Sequence, residues 1–284
     1  MKSQYELLLD RFIRTAVEED LGDGDHSSLA CIPEDATGKA QLIIKDRGIL
    51  AGVEIAGKIF HFIDPGIEFN CLLFDGQSIS IGEIAFRVSG PTRSILQAER
   101  LVLNVMQRMS GIASQTNRYV SKVKGLPVRI LDTRKTTPGI RFLEKEAVRI
   151  GGGNNHRMGL HDMILLKDNH IDYAGGIAKA IEKAKHYLEE YGKELDIVVE
   201  ARNLSEVKQI LRTGGIKRIL LDNFSIRRTR SAVALIDGRV KTESSGGITL
   251  ENVRNYAKCG VDYISIGALT HQIRSLDMSL KAFE

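Results

Sequence analysis

Charged side chains follow short apolar runs in the second half of the sequence. The earlier ones are cations, among them Arg134, Arg157 and Lys167, and the later ones are the carboxylates Glu200 and Asp222. Such cations bind anionic groups, and the planar fork of arginine suits a carboxylate. The carboxylates suit a divalent metal ion or the hydroxyls of a ribose. The order of charges therefore predicts one site with an anion-binding side and an acidic side.

Glycine-rich stretches accompany these charges. Gly151–Gly153 comes shortly before Arg157, Ser245–Gly247 follows an apolar run, and Gly267–Leu269 follows the next one. In barrel proteins, loops of this kind bind phosphate through backbone N–H groups and a helix N-terminus. A Gly-Gly pair has little weight alone, because many turns between strands and helices need one. Together with the charges, these stretches predict a phosphate site.

Strand-like and helix-like segments alternate from about residue 128 onward, which predicts parallel strands with right-handed crossovers. A doubly wound sheet and a barrel both fit this order. The regular repeat, without GxGxxG in its first unit, favours a barrel, whose strand ends would bring the charges to one mouth. The predicted strands are Val128–Leu131, Met163–Leu166, Ile197–Val199, Arg218–Leu221, Val240–Thr242 and Tyr263–Ile266. The predicted helices include Ile177–Leu188, Leu204–Leu211 after an Asn203 cap, and Leu250–Ala257 after a Thr249 cap.

The first half of the chain has a different pattern, in which short extended segments alternate with turns. A helix near Ser3–Glu19 precedes them, a second helix is predicted at Val53–Ile63, and a long helical stretch runs from Pro91 to Val120. Segments such as Gly38–Lys45 and Ala85–Ser89 have the pattern of antiparallel strands. This half is therefore predicted to form a separate α+β domain.

Composition excludes several classes of protein. The chain has 284 residues, 43% of them hydrophobic, and a formal charge of +4, which is too small a bias for a general nucleic-acid binder. No run of about 18 apolar residues exists, so no membrane-spanning segment is predicted. The three cysteines lack a CxxC pair and are interpreted as small buried apolar residues in a reducing cytoplasm. The acidic loop Asp20–His26 is interpreted as a structural turn rather than a metal site.

Short motifs along nearly the whole chain resemble those of the quinolinate phosphoribosyltransferases, also called decarboxylating nicotinate-nucleotide pyrophosphorylases. The match is specific because the motifs are distinctive and occur in order. They are Ala98-Glu99-Arg100, Ser110-Gly111-Ile112-Ala113, Asp132-Thr133-Arg134-Lys135-Thr136, Asn155-His156-Arg157, Lys167-Asp168-Asn169-His170, Leu221-Asp222-Asn223-Phe224, Glu243–Gly247 and Gly267-Ala268-Leu269-Thr270-His271.

The resemblance implies an incomplete TIM-like α/β barrel with an N-terminal α+β open-sandwich domain. The sandwich would comprise residues 1–108, joined by the tail 275–284, and the barrel would comprise residues 109–274. The resemblance also implies a homodimer, in which one subunit's sandwich caps the other's barrel mouth and Arg100 reaches the neighbouring site. The implied activity is a cytoplasmic, magnesium-dependent pentosyl transfer from phosphoribosyl pyrophosphate to quinolinate. It would yield nicotinate mononucleotide, pyrophosphate and CO2 in de novo NAD biosynthesis.

The resemblance also assigns site residues by their position in the motifs. Quinolinate carboxylates would contact Arg134, His156, Arg157 and Lys167, with Thr133 beside them. Lys135 would lie between substrate and phosphates and, with Glu200 and Asp222, would form the catalytic set. Glu200 and Asp222 would also hold ribose hydroxyls and Mg2+. The 5-phosphate would be bound by Ser245, Gly246, Gly247, Gly267, Ala268, Leu269 and His271.

Two positions depart from the family pattern. Some members carry further acids where this chain has Val198 and Arg202, so the acidic side rests on Glu200 and Asp222 alone. Arg202 either adds positive potential at the mouth or points to solvent.

Two other interpretations of the whole chain compete with this one. One is a sister phosphoribosyltransferase of the same fold, like those of molybdenum-transport operons; a neutral substrate would not need the cationic cluster. The other is a non-catalytic phosphate- or nucleic-acid-binding protein, against which the paired acids and the lack of a basic stripe argue.

Overall fold

The computed structural model describes residues 3–283, which form two compact units. The first unit contains the chain up to Asn117, the segment Thr136–Gly152 and the chain from Leu269 onward. The second unit contains Arg118–Lys135 and Gly153–Ala268. No helix among the described residues combines the length and apolarity that a membrane crossing needs.

The first unit is built on an antiparallel four-stranded sheet with the strand order β12-β1-β5-β3. A short hairpin of β2 and β4 and several helices complete it. The C-terminal strand β12 pairs with β1, with Leu42 opposite Leu280. The elements up to the end of the long fourth helix are α1 (Gln4–Leu21), α2 (His26–Cys31), β1 (Thr37–Ile44), β2 (Gly48–Ile49), α3 (Val53–Ile63), β3 (Glu68–Cys71), β4 (Ser78–Ile79), β5 (Ile84–Pro91) and α4 (Thr92–Lys122).

Aromatic and aliphatic side chains fill the space between α3 and this sheet. The ring of Phe86 lies 5.9 Å from that of Phe60 and 4.7 Å from that of Phe69, measured between centroids. Phe60 and Phe86 are fully buried. Alternate residues of β1, including Leu42 and Ile44, add their side chains to the same layer. The predicted α+β domain is thus confirmed, with one sheet face covered by helix.

Ser110 and Gly111 of the Ser110–Ala113 motif, together with the following Ser114, fasten α4 to the rest of the first unit. The hydroxyl of Ser110 accepts from the backbone N–H of Ala51 at 2.9 Å, and Ser114 accepts from Ile49 at 2.8 Å. Gly111 lies where the backbone carbonyl of Arg274 approaches the helix, so a Cβ would collide with main chain. The motif therefore has a packing role.

The second unit is built on a six-stranded sheet with the order β6-β11-β10-β9-β8-β7, in which every pairing is parallel. Helices cover its outer face. The elements of this unit are β6 (Arg129–Leu131), β7 (Ile164–Leu166), α6 (Asp168–Ala174), α7 (Ile177–Glu190), β8 (Ile197–Ala201), α8 (Leu204–Thr213), β9 (Arg218–Asp222), α9 (Ile226–Ile236), β10 (Lys241–Ser245), α10 (Val253–Ala257) and β11 (Tyr263–Ser265). Along the chain, α5 (Arg141–Ile150) and β12 (Met278–Ala282) belong to the first unit, and α11 (Ala268–His271) begins at the last residue of the second unit.

Alternation along the strands separates two apolar clusters. Val199, Ile219 and Leu221 pack outward against helix residues such as Val207 and Ile210. A smaller inner cluster is formed by Leu165, Val198 and Leu220, with Met163 against it. Successive strand residues point to opposite faces. The inner face is therefore the one that also carries Glu200 and Asp222.

The sheet is an incomplete barrel, as predicted. β6 and β7 are its two edge strands and do not pair with each other in the described part of the chain. The segment after Gly153 extends the β6 edge, because Asn154 forms a parallel bridge with Leu131. Its N–H donates to the Ile130 carbonyl at 2.8 Å. The loop 153–163 thus lies along the opening of the barrel.

Four local predictions are decided by the structure. Asn203 caps α8 by accepting from the N–H of Glu206, as expected. Thr249 does not cap a helix at Leu250: the α-helix begins at Val253, after a turn. The acidic loop is a turn, in which Asp25 caps α2 through Ser28. Burial was wrongly expected for Cys31, which is exposed at the end of α2.

Replacing Gly111 by alanine is expected to destabilise the protein by about 2 kcal/mol, since overpacking against rigid main chain typically costs about 1–3 kcal/mol. Urea unfolding measures the effect. Gly57→Ala is the matched control, because Gly57 is also helical and an added Cβ would meet the Phe69 ring at an ordinary 3.4 Å. Equal stability of the two variants would contradict the packing role of Gly111.

Candidate active site

The register of the parallel strands arranges the inner side chains in layers. Glu200 pairs with Leu220, Leu220 with Glu243, and Glu243 with Tyr263. Directly paired residues of a sheet point to the same face. One layer closer to the carboxyl ends, Asp222 pairs with Ser245. Functional side chains therefore lie on the inner face at the carboxyl ends, where barrel enzymes build their sites.

Glu200 and Asp222 form the acidic side. Glu200 is only 7% exposed. Burial raises the pKa of Glu200, and the nearby charge of Asp222 raises it further, whereas Lys167 acts in the opposite direction. The Lys167 ammonium lies 3.8 Å from a Glu200 carboxylate oxygen. Two close carboxylates with one partner cation attract a further positive charge.

A tight turn after β9 holds Asp222 in place. The side-chain amide of Asn223 donates to the Asp222 carboxylate at 2.9 Å, and its backbone N–H donates to the carbonyl of Ser245 at 2.9 Å. Asn223 has a positive φ of 52°. A Cβ on Gly246 would collide with the Asn223 amide, and Gly246 itself has φ of 91°. Glycine at position 246 is therefore required by the close approach of two strand-end loops, whereas at Gly247 only the positive φ of 61° favours glycine.

Arg157 dominates the cationic side. It is 8% exposed, and its guanidinium donates to the carbonyl of Met163 at 3.0 Å, so it links the loop to the start of β7. Burial lowers the pKa of Arg157, and the nearby charge of Arg134 lowers it further, while Asp162 opposes both. Because the guanidinium groups of Arg157 and Arg134 repel each other and Arg157 is shielded from water, binding of an anion beside them is favoured. Lys167 is half exposed and completes this side.

His156 is held by contacts on both sides of its ring. Its backbone N–H donates to the buried carboxylate of Asp132 at 2.8 Å. Its Nδ1 accepts from the backbone N–H of Arg157 at 2.8 Å, and its Nε2 lies 3.4 Å from a Glu243 oxygen. Both ring nitrogens are thus engaged inside the second unit.

Glu243 is fully buried inside the barrel. Burial alone would raise its pKa, but the hydrogen bonds from His156 and Arg218 and the charge of Arg218 hold the pKa below its usual range. The Arg218 guanidinium donates to Glu243 at 2.6 Å. Sequence reasoning placed Glu243 after a strand Val240–Thr242, whereas β10 continues to Ser245 and turns Glu243 inward. The sequence pattern therefore did not reveal that Glu243 lies within the strand rather than after it.

Arg202 combines the two roles that were expected as alternatives, namely positive potential at the mouth and exposure to solvent. Its guanidinium bonds to Glu206 at 2.9 Å and lies 3.4 Å from Asp172, and its side chain is 43% exposed. Its charge also opposes the rise in the pKa of Glu200. Arg202 is therefore a tethered surface residue that adds positive potential near the acidic side.

The second unit brings together most of the residues predicted for the site. Thr133 accepts from the backbone N–H of Lys135 at 3.0 Å, which shapes the turn after β6. Arg100, Leu269 and His271 belong to the first unit, where Arg100 is exposed on α4. Asp132, Asn223 and Glu243 were missed as functional candidates, although all three stand in the recognised motifs. The second unit's members of the predicted set are Thr133, Arg134, Lys135, His156, Arg157, Lys167, Glu200, Asp222, Ser245, Gly246, Gly247, Gly267 and Ala268.

Comparison with known proteins identifies the class to which this fold and site belong. Residues 25–110 match the model of the quinolinate phosphoribosyl transferase N-terminal domain, and residues 112–281 match that of its C-terminal domain. The chain therefore belongs to the quinolinate phosphoribosyl transferase family, which confirms the resemblance seen in the motifs.

Individual relatives agree. The chain is 43% identical to the chloroplastic nicotinate-nucleotide pyrophosphorylase [carboxylating] of Arabidopsis thaliana, over 96% of this chain and 82% of that protein. It is 38% identical to a probable nicotinate-nucleotide pyrophosphorylase [carboxylating] of Synechocystis, over 97% and 92%. The crystal structure of NadC from Streptococcus pyogenes superposes with a TM-score of 0.92 at 35% identity, covering 100% of both chains.

Replacing Glu200 by glutamine is expected to stabilise the protein at neutral pH. A carboxyl whose pKa is raised on folding binds its proton more tightly in the folded state, so its ionisation costs stability as pH rises above about 4.5. Glu200→Gln removes this cost, and we expect a gain of roughly 0.5–2 kcal/mol at pH 7.5 that shrinks toward pH 4. Urea unfolding at both pH values measures it.

Glu182→Gln is the control for this experiment, because Glu182 is an exposed glutamate on α7. Its stability should stay within about 0.5 kcal/mol of the parent at both pH values. If Glu200→Gln is less stable than the parent at pH 7.5, the argument that Glu200 is held at a cost is wrong.

Proposed function

We propose that this chain is a quinolinate phosphoribosyltransferase, which joins quinolinate to the ribose of phosphoribosyl pyrophosphate and releases pyrophosphate and CO2. The product is nicotinate mononucleotide, a precursor in de novo NAD biosynthesis. The observation that carries the proposal is the separation of charge across one barrel mouth. On one side burial and the charge of Arg134 lower the pKa of Arg157, and on the other burial and the charge of Asp222 raise the pKa of Glu200.

The cationic side matches a planar dicarboxylate. Quinolinate carries two negative charges, and a ligand with less charge would not offset the repulsion between Arg134 and Arg157. Guanidinium groups bind carboxylates in bidentate geometry, and Lys167 adds a third positive charge. The three cations would supply the binding energy. The buried side chain of Arg157 would determine how far the ligand enters the barrel mouth.

The acidic side matches the ribose and a cation. Glu200 and Asp222 can accept hydrogen bonds from ribose hydroxyls and stabilise positive charge at the anomeric carbon as its bond to pyrophosphate lengthens. In residues 3–283 no cluster of three or more His, Cys, Asp or Glu side chains could hold a metal ion. Two carboxylates fit Mg2+ that keeps several waters and is held mainly by substrate phosphates. Bound there, Mg2+ would neutralise charge on the pyrophosphate leaving group.

Reaction chemistry then needs little proton transfer. The pyridine nitrogen of quinolinate attacks the anomeric carbon as the bond to pyrophosphate breaks. The ring nitrogen becomes cationic and can accept the electron pair of the neighbouring carbon–carboxylate bond when CO2 leaves. A proton then replaces CO2 on the ring carbon. The protein's contribution is to hold the nitrogen and the anomeric carbon in line, which makes positioning the dominant catalytic effect.

Backbone donors suit the phosphate of the ribose. Ser245, Gly246 and Gly247 form an exposed turn at a strand end, and both glycines have positive φ. Successive backbone N–H groups in such turns converge on anions. Gly267 and Ala268 follow the adjacent strand β11 and would add further donors. Lys135, exposed in the turn after β6, would neutralise the diphosphate.

We also propose that the active form is a homodimer in which Arg100 of one subunit reaches the site of the other. Support comes from Arg100, which is exposed on α4 of the first unit, whereas most of the predicted site belongs to the second unit. The compartment stays a prediction: we expect the cytoplasm, although several plant relatives are named as chloroplastic or mitochondrial proteins.

The reaction is tested by CO2 release. We expect the protein to release label from quinolinate carboxyl-labelled at the position adjacent to the ring nitrogen, and only when phosphoribosyl pyrophosphate and Mg2+ are both present. The measurement is trapped label together with nicotinate mononucleotide by chromatography. Absence of both products at saturating substrate would overturn the assignment and favour a sister enzyme with another substrate.

The shared site is tested by mixing two inactive variants, Arg100→Ala and Lys167→Ala. If Arg100 acts across the interface, a hybrid dimer contains one site with both parent residues, and up to about a quarter of parent activity returns after random subunit exchange. Lys167→Ala mixed with itself is the control. Hybrids that form, as seen by mass spectrometry, but stay inactive would exclude the cross-subunit role.

A further inference from the structure

A buried chain of polar groups runs through the inner face of the second unit. The Arg218 guanidinium carbon lies 4.1 Å from the centroid of the Tyr263 ring, and Arg218 Nη1 donates to Glu243 Oε2 at 2.6 Å. The same oxygen lies 3.4 Å from Nε2 of His156. The side chains of Glu243 and His156 are 0% and 6% exposed. Glu243 Oε2 is thus a single acceptor shared by two donors.

The contacts of His156 define its protonation. Nδ1 accepts a hydrogen bond from the backbone N–H of Arg157, so Nδ1 carries no proton. The ring proton is therefore on Nε2, where it points to Glu243. A neutral imidazole in this tautomer directs its one N–H toward Glu243 and its one acceptor toward the backbone N–H of Arg157.

We propose that Glu243 and His156 are positioning residues that fix the backbone of Arg157. This inference rests on the proposed function, since Arg157 matters as a quinolinate contact. Glu243 fixes the tautomer, the tautomer makes Nδ1 an acceptor, and that acceptor orients the Arg157 peptide. The Arg157 guanidinium, anchored on the Met163 carbonyl, is then held at one depth in the mouth.

Stability alone does not explain the buried charges. On the same inner face, the neighbouring strands place the apolar side chains Val198 and Leu220. Replacing a buried ion pair by apolar residues of similar volume is often neutral or stabilising. Glu243 Oε1 also has no hydrogen-bond partner, which adds to the cost of burying the carboxylate. The buried Arg218–Glu243 ion pair is not required for packing, and a role in orienting the loop residues His156 and Arg157 accounts for its presence.

The experiment compares two changes at this chain. Glu243→Gln removes the charge but keeps an oxygen that can accept from His156. The double variant Arg218→Met with Glu243→Leu removes both charges and the acceptor, and it leaves no unpaired buried ion. Protein labelled with 15N-histidine reports the tautomers of all seven histidines, and His156→Asn assigns the signal of His156. Isothermal titration measures binding of quinolinate and, separately, of phosphoribosyl pyrophosphate with Mg2+.

We expect the Nε2–H tautomer in the parent and in Glu243→Gln, and a mixed or titrating ring in the double variant. Quinolinate affinity should fall on the order of tenfold in the double variant and by less than about threefold in Glu243→Gln, while phosphoribosyl pyrophosphate affinity stays unchanged. The matched control is Lys241→Met with Asp262→Asn, which removes the exposed ion pair at the amino ends of β10 and β11. Its quinolinate affinity should equal that of the parent.

Three results would overturn the inference. The first is a protonated Nδ1 in the parent protein. The second is a double variant with the parent tautomer and parent quinolinate affinity. The third is an equal loss for both ligands, which would show a merely structural role. The tautomer measurement needs no substrate, so it stands even if the protein fails to release CO2, and the two proposals can fail separately.

Discussion

The parallel register of β6 to β11 is the constraint on which the site depends. Parallel pairing places all carboxyl ends of the strands at one edge, and direct pairing puts neighbouring side chains on the same face. Glu200, Glu243 and Tyr263 therefore lie in one inner layer, with Asp222 and Ser245 in the next. A shift of one residue in any strand would turn its polar side chain toward the helices. The apolar outer cluster opposes that shift because Val199 and Leu221 must stay buried.

Charges inside this barrel divide into compensated and uncompensated ones. Arg218 and Glu243 compensate each other, so their burial is sustained within the chain. Glu200 with Asp222, and Arg157 with Arg134, are like-charge neighbours: the charge of Asp222 adds to burial in raising the pKa of Glu200, and the charge of Arg134 adds to burial in lowering the pKa of Arg157. Such a site costs stability while empty and regains it when ligands of opposite charge enter. The same arrangement that weakens the fold is the one that, in the proposed function, would bind a dianion on one side and a cation-bound diphosphate on the other.

The opening in the barrel gives the loop 153–163 its importance. Because β6 and β7 do not pair, this loop supplies backbone groups to the β6 edge through Asn154, and Arg157 supplies a side-chain donor to the start of β7. The loop is thus ordered by the same residues that would meet the substrate. Asp162 adds two hydrogen bonds, from the backbone N–H groups of Met158 and Gly159. One short segment therefore both covers the open edge of the barrel and carries the proposed substrate contact Arg157.

The sequence by itself determined the alternation of strands and helices, the family, and the set of charged residues at the strand ends. These follow from local periodicity and from motifs, which do not require knowledge of the tertiary structure. The sequence did not show that β10 continues through Glu243 to Ser245, because a strand rich in polar residues lacks the apolar pattern used to find strands. It also placed a helix start at Thr249, where a turn intervenes before Val253.

Only the tertiary structure decided which charges are buried and what they contact. Whether Glu243 points inward depends on sheet register, and whether His156 can donate depends on the atoms around its ring. Likewise, the need for glycine at position 246 follows from the Asn223 side chain, and this is visible only when the two loops are brought together. These are non-local relations, set by how the sheet curves and which edge remains open. Distance along the sequence carries no information about these relations. The residue types therefore predicted the chemistry of the site, whereas packing determined which residues are buried and which contacts each one makes.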